Sequence, residues 1–221
     1  VWSRLIAFVL AGAILAPAHG LVTTRLTWAK EISRIVYKRC LACHRPDGPA
    51  FSLRTYEDAR PWAKAIQEEV LRRRMPPWNA VKGFGEFDPD FGLSGEEIQQ
   101  IAEWVDGGAP LGDPNLLPPG PRIPDFPEAP PGTRLAVTPG LKTTRPLRIL
   151  AIELSPLTPG ANFRLTATTP QGEILPLLWI HNYSPRATQI YQLRKPLRLP
   201  AGSRFQLTPS AGIQLKLVTG P

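Results

Sequence analysis

Two cysteines and a histidine, Cys40-Leu41-Ala42-Cys43-His44, are the residues best placed to do chemistry. They are the only cysteines in the chain, and His44 is one of three histidines. Thiols at this spacing can each add to a vinyl group of a haem, and the adjacent histidine can then bind its iron. Two other uses of the same residues stand beside this one. A thioredoxin-like redox pair sits between a strand and a helix, whereas this pair follows a helical pattern and is succeeded by a histidine. A structural zinc site needs four ligands, and no second cysteine or histidine pair is available to complete it.

A haem iron held by His44 needs a sixth ligand or an open position. Met75, the only methionine, precedes Pro76-Pro77-Trp78 on a stiff turn at a helix end. A thioether there can ligate iron and raise its potential; the other use of such a residue is to fill a gap in the core. His19 falls near the N-terminus and His181 in a loop with no partner histidine nearby, so both are less suited. Trp62, Pro76 and Trp78 are expected to pack on the haem, since aromatic walls keep water from a porphyrin. Core packing is the other use of these tryptophans, and of Trp28 and Trp104 with them. Arg72-Arg73-Arg74 reads either as a solvated helix end facing terminal carbonyls or as a group that pairs with haem propionates or a docking partner.

Short helices are expected to position these groups. Trp28, Ile32, Ile35 and Val36 recur at helical spacing and lead straight into Cys40. Pro46, Gly48 and Pro49 then enforce a loop. Thr55 with Asp58, and Ser94 with Glu97, have the form of capping boxes. Pro61 opens the main helix, along which Trp62, Ile66 and Val70 recur to Arg74. Residues 79–93 read as a loop. Ile98, Ile101, Ala102 and Val105 form the apolar face of the last helix, stopped by Gly107 and Gly108.

The remainder of the chain has a different character. The 27 prolines among 221 residues exceed the usual ~5% and argue against a mainly helical protein. Nine of them fall between Ala109 and Gly132, an expected extended spacer rising ~3.1 Å per residue. Charge is balanced over residues 19–112, with 13 basic and 13 acidic residues; residues 130–221 carry 11 basic and 2 acidic, a net +9. Strands are expected at 147–154, 163–169, 174–180, 189–195, 204–207 and 213–218, with turns at Pro170-Gln171-Gly172 and Pro200-Ala201-Gly202. At the N-terminus, Arg4, the apolar run Leu5 to Leu15 and Ala16-Pro17-Ala18 have the form of a secretory signal. The expected location is periplasmic or otherwise exported, with a membrane tether if that segment is not cleaved. The divisions are therefore 1–18 signal peptide, 19–112 a small all-α domain, 113–132 linker and 133–221 an antiparallel β-sandwich.

Residues 25–112 resemble a family of bacterial c-type cytochrome domains. The resemblance rests on Cys40 to His44, the Pro-x-Phe-x-Leu-x-x-Tyr-x-Asp-Ala segment at Pro49 to Ala59, Met75 to Trp78, and the Trp-Val-Asp-Gly-Gly-Ala-Pro run at Trp104 to Pro110. It implies one covalent haem c with His44 and Met75 as axial ligands. In that family the cytochrome domain is often joined to a copper type II, ascorbate-dependent monooxygenase module. Residues 145–218 are similar to the end of such a module at Pro170 to Glu173, Leu177-Leu178, Tyr191 to Leu193 and Leu199 to Phe205.

The departure from that module bears on function. Its copper is held by histidines, including a His-x-His pair, and a methionine. After Ala109 this chain has only His181 and no methionine, and Leu154-Ser155-Pro156-Leu157 stands where the pair would fall. Copper needs several soft or imidazole ligands, so no copper is expected. The first catalytic half is absent too. The expected function is an exported monohaem electron carrier, not itself an enzyme. Its basic sandwich would dock an acidic redox partner or touch an anionic surface, and nucleic acid is not an expected partner. The alternative classes are a haem-containing subunit of an oxidase or monooxygenase assembly, and a haem-based redox or gas sensor.

Overall fold

Alternation of apolar and polar residues builds the larger part of the molecule. The computed structural model describes residues 24–121, 123, 126–186, 189–209 and 212–221; the expected signal segment and His19 lie outside them. Seven strands form two antiparallel sheets: β1 (Thr133–Ala136), β2 (Leu147–Leu154), β3 (Phe163–Thr168), β4 (Ile174–Ile180), β5 (Ile190–Leu199), β6 (Arg204–Thr208) and β7 (Leu215–Gly220). One sheet has the order β1-β7-β2-β5 and the other β4-β3-β6. Their inward residues, among them Ile149, Ile152, Phe163, Leu165, Leu178, Tyr191, Phe205 and Leu217, share one core. A bulge in β2 between Ile149 and Ala151 interrupts its register with both β5 and β7, a feature that bends a strand and increases its twist.

Helical structure is sparse and short. After a π-helical turn (Trp28–Ile32) come α1 (Ser33–Arg39), α2 (Tyr56–Ala59), α3 (Ala63–Leu71) and α4 (Gly95–Asp106), the last being the longest at 12 residues. Thr55–Asp58 and Ser94–Glu97 form the capping boxes that start α2 and α4. A second core gathers Trp28, Ile32, Val36, Leu41, Ile101 and Trp104. Beyond α4 the chain returns to the start of the described residues: the Trp28 amide and the Trp104 indole both donate to Pro110 O, each at 3.0 Å. A Cβ on Gly107 would collide with Thr24 there. Among the described residues no helix is long and apolar enough to cross a membrane.

The expected small all-α cytochrome domain beside a separate sandwich is not what forms. Among the described residues the antiparallel sheets dominate, the helices are few and short, and no small all-α cytochrome domain is evident. Two physical causes account for this. Pro61 converts the start of the expected main helix into a 3-10 turn (Arg60–Trp62), and α3 ends at Leu71 rather than running to Arg74. Residues 79–93 are also not a free loop. Val81 N donates to Trp179 O (2.8 Å) and His181 N to Asn79 O (3.0 Å), extending the free edge of β4. Asp88 N donates to Gln192 O (3.0 Å) and accepting Glu86 O receives Arg194 N (2.9 Å), extending the free edge of β5. The segment thus clasps one edge of each sheet and covers polar backbone that would otherwise invite foreign strands. Ala80 and Phe87 enter the sheet core with it.

The proline-rich stretch is also engaged. Pro114–Leu116 forms a 3-10 turn whose Leu116 carbonyl accepts from Arg34 at 3.3 Å, and Ile123 packs on the helical core.

Because the clasp joins the two cores, unfolding is expected to be one transition. In guanidinium titrations, tryptophan fluorescence and far-UV circular dichroism should coincide. Phe87→Ala should lower stability by about 3–5 kcal/mol, the usual cost of truncating a buried phenylalanine, and shift both signals together. Separate transitions for helical and sheet signals would contradict this coupling.

Candidate functional site

The turn that follows α1 gathers the first three groups. Cys40 N donates to Val36 O (2.9 Å), continuing the helix, and Cys43 N (3.1 Å) and His44 N (2.9 Å) both donate to Cys40 O. Arg39, one residue before, is buried and fixes the turn: it pairs with Glu97 at 2.9 Å and also donates to the Asp90 carbonyl. The loop then folds back, with Leu53 N on His44 O at 3.0 Å. A Cβ on Gly48 would run into the Cys43 carbonyl, so the close return requires glycine.

His44 is oriented by that loop. Its Nδ1 lies 2.9 Å from the Phe51 carbonyl, which fixes the proton on Nδ1 and leaves Nε2 with a free lone pair. This is the arrangement usual for a metal-binding imidazole. The Phe51 ring meets the imidazole edge-on at 4.8 Å and stacks on Trp62 at 4.5 Å. Phe51 and Trp62 are 48% and 47% exposed, large apolar surfaces at the mouth of a cleft.

That cleft, about 220 Å³, is lined by Cys40, Cys43, His44, Trp62, Met75 and Pro76, with Leu53 and Ile66 among its apolar walls. Met75 reaches it from the end of α3, where Arg74 N and Met75 N both donate to Glu69 O, at 2.9 and 3.3 Å. Of the residues singled out in the sequence, the structure therefore brings six to one cleft. Trp78 is not among them and lines the neighbouring cavity that shares Met75 and Pro76 with the cleft. It turns to the sheet side and lies 5.2 Å from Tyr191, 5.8 Å from Phe91 and 6.1 Å from Phe87, ring to ring. Trp28 and Trp104 lie in the helical core. Phe51 was missed as a site residue although it lies within the Pro49 to Ala59 motif; its role emerges only when its carbonyl meets His44.

Burial favours the neutral forms of both thiols and of the imidazole. Burial is the main cause that pushes the Cys40 thiol up to about 12, with Cys43 and Glu97 adding to it and Arg39 opposing. Burial also raises Cys43 and lowers His44, the latter against the Phe51 carbonyl hydrogen bond. No disulfide joins the two cysteines. Among the described residues no group of three or more His, Cys, Asp or Glu side chains could hold a metal ion. Two thiols, an imidazole and a thioether around an apolar cleft do fit a covalently tethered haem. No protein-family model matches the chain, and no curated protein matches it.

The Phe51 loop is itself braced by Asp58, whose carboxylate accepts from Ser52 Oγ at 2.7 Å and from Thr55 N at 3.3 Å. These hydrogen bonds, Ser52 foremost, hold its carboxyl below the usual aspartate range. A depressed folded-state value contributes stability above the unfolded-state value and loses it as pH falls through the folded one. Asp58→Asn should therefore destabilise by about 1 kcal/mol at neutral pH, the scale of a lost cap. The gap should close in acid. A gap independent of pH, in denaturant titrations at several pH values, would contradict this assignment.

Proposed function

We propose that this protein is an exported electron carrier with a single covalently bound haem c. The observation that carries the reading is the convergence of Cys40, Cys43, His44 and Met75, which are up to 35 residues apart in sequence (75 minus 40), on one apolar cleft. Cys40 and Cys43 would hold the haem through thioethers, and His44 and Met75 would be its axial ligands. When bound, the haem supplies a one-electron Fe(III)/Fe(II) couple.

The chain's own residues have definite tasks around it. The Phe51 carbonyl keeps His44 in the tautomer whose Nε2 can ligate. Glu69 O and the Pro76-Pro77 turn hold Met75 against the cleft, which leaves no exchangeable position for a substrate. Phe51, Leu53, Trp62 and Ile66 exclude water, and the exposed faces of Phe51 and Trp62 gain an apolar neighbour.

The β-rich half supplies charge. In the register of β2 with β5, Arg148 stands directly opposite Arg198, and neither makes an ion pair among the described residues. Like charges in that position oppose each other, an arrangement that an acidic partner surface relieves. With the net +9 over residues 130–221, this supports docking to an acidic redox partner whose association is steered by charge and weakened by salt. The Arg4-to-Ala18 pattern supports export.

The oxidised protein should show the far-red methionine-to-Fe(III) charge-transfer band, and Met75→Ala should abolish it while haem stays attached. Persistence of the band in the variant would remove Met75 from the ligand set. Arg148→Glu with Arg198→Glu should slow association with an acidic partner at low ionic strength and remove most of its salt dependence, in stopped-flow electron transfer. An unchanged rate would contradict the docking role.

A further inference from the structure

On the other side of Val70, Met75 and Pro76 from the thiol-lined cleft lies a larger open cavity of about 500 Å³. The two spaces share those three residues as a common wall, and their charges differ. In the cleft the one carboxylate is Glu69, bound to Arg74, and the one cation is Arg39, already paired with Glu97 and Asp90. The cleft thus has no free cation for an anionic group. Among the described residues the larger cavity has no carboxylate in its lining and carries Arg72, Arg73, Lys82 and His181.

Those four are not equivalent. Arg72 pairs with Glu68 at 3.1 Å, and Lys82 pairs with Asp90. Arg73 makes no ion pair among the described residues, and the His181 imidazole has no hydrogen-bond partner among them. The backbone emphasises the same places. Arg73 (φ +54°) and Asn182 (φ +52°), both lining this cavity, adopt the left-handed conformation that costs a non-glycine residue about 1 kcal/mol or more. The αL residue 73 lies just beyond α3, two residues before Met75, and the αL residue 182 follows His181 on the turn beyond β4.

We propose that Arg73 and His181, brought together across the boundary between α3 and the β4 edge, hold the propionate carboxylates of the haem. This rests on the haem reading above and extends it. An apolar ring in the cleft with its two carboxylates in the cationic cavity matches each part of the ligand to the surface that tolerates it: charge is costly in an apolar site and favourable beside an unpaired guanidinium. It also gives the β half a part in the redox site. His181 is presented by the clasped edge of β4, where its backbone N–H donates to Asn79 O.

The test uses full-chain holoprotein of the wild type and of Arg73→Gln, Arg73→Lys and His181→Gln. Resonance Raman spectra report hydrogen bonding to propionates through their bending bands, and redox titration reports the charge near the iron. Both glutamine variants should shift the propionate bands. Arg73→Gln should also lower the midpoint potential, because a lost cation favours Fe(III), and Arg73→Lys should restore it in part. Haem content and the methionine charge-transfer band should stay as in the wild type. Unchanged bands and potential in haem-loaded variants would overturn the propionate assignment alone. A wild-type chain with no attached haem would instead overturn the underlying reading, and this one with it.

Discussion

Backbone hydrogen bonds between residues 79–88 and the edges of both sheets are the constraint on which the rest of the structure depends. Val81 and Asn79 pair with β4, and Glu86 and Asp88 pair with β5. They satisfy strand edges that would otherwise stay open. The same bonds fix the C-terminal anchor of the Met75-Pro76-Pro77 turn; Glu69 O fixes the N-terminal one. Met75 is thereby held at the cleft by the β-rich half as much as by its own helix. The site is a joint product of two cores, and cutting the chain between them would release one of its four donors.

The remaining donors are held by a different kind of force. Cys40, Cys43 and His44 are placed by one helical turn, and the buried Arg39 ties that turn to Glu97 and Asp90. Removing a partner from such a buried ion pair typically costs ~3–5 kcal/mol, since a charge is left without compensation. Local geometry therefore fixes three donors and tertiary pairing fixes the fourth. Arg148 and Arg198 lie on the four-stranded sheet and do not line the cleft, so their charge can serve association.

What could be read in the sequence follows this division. The Cys40–His44 spacing, the capping residues at Thr55 and Ser94, and the alternation along β3 and β7 are local patterns. Each depends on residues within a few positions of one another. The clasp is not local. Residues 79–93 are glycine-rich and without periodicity, so their strand-like pairing with β4 and β5 arises only from the sheet edges they meet. Trp78 is adjacent to Met75 in sequence, yet its ring packs with Tyr191, Phe87 and Phe91. β1 escaped notice for a similar reason: Thr133–Ala136 shows no buried alternation and is a strand only because β7 offers it an edge. The separate all-α domain fails on the same ground, since proline shortened its main helix and tertiary pairing drew its longest loop into the sheets.

The central claim is that Cys40 and Cys43 carry a haem covalently. Its most direct test is the mass of the denatured chain, produced in a host that attaches c-type haem. The expected result is a gain of one haem over the polypeptide mass that survives denaturation and is lost when both cysteines are replaced by alanine. A mass equal to that of the polypeptide alone would contradict it.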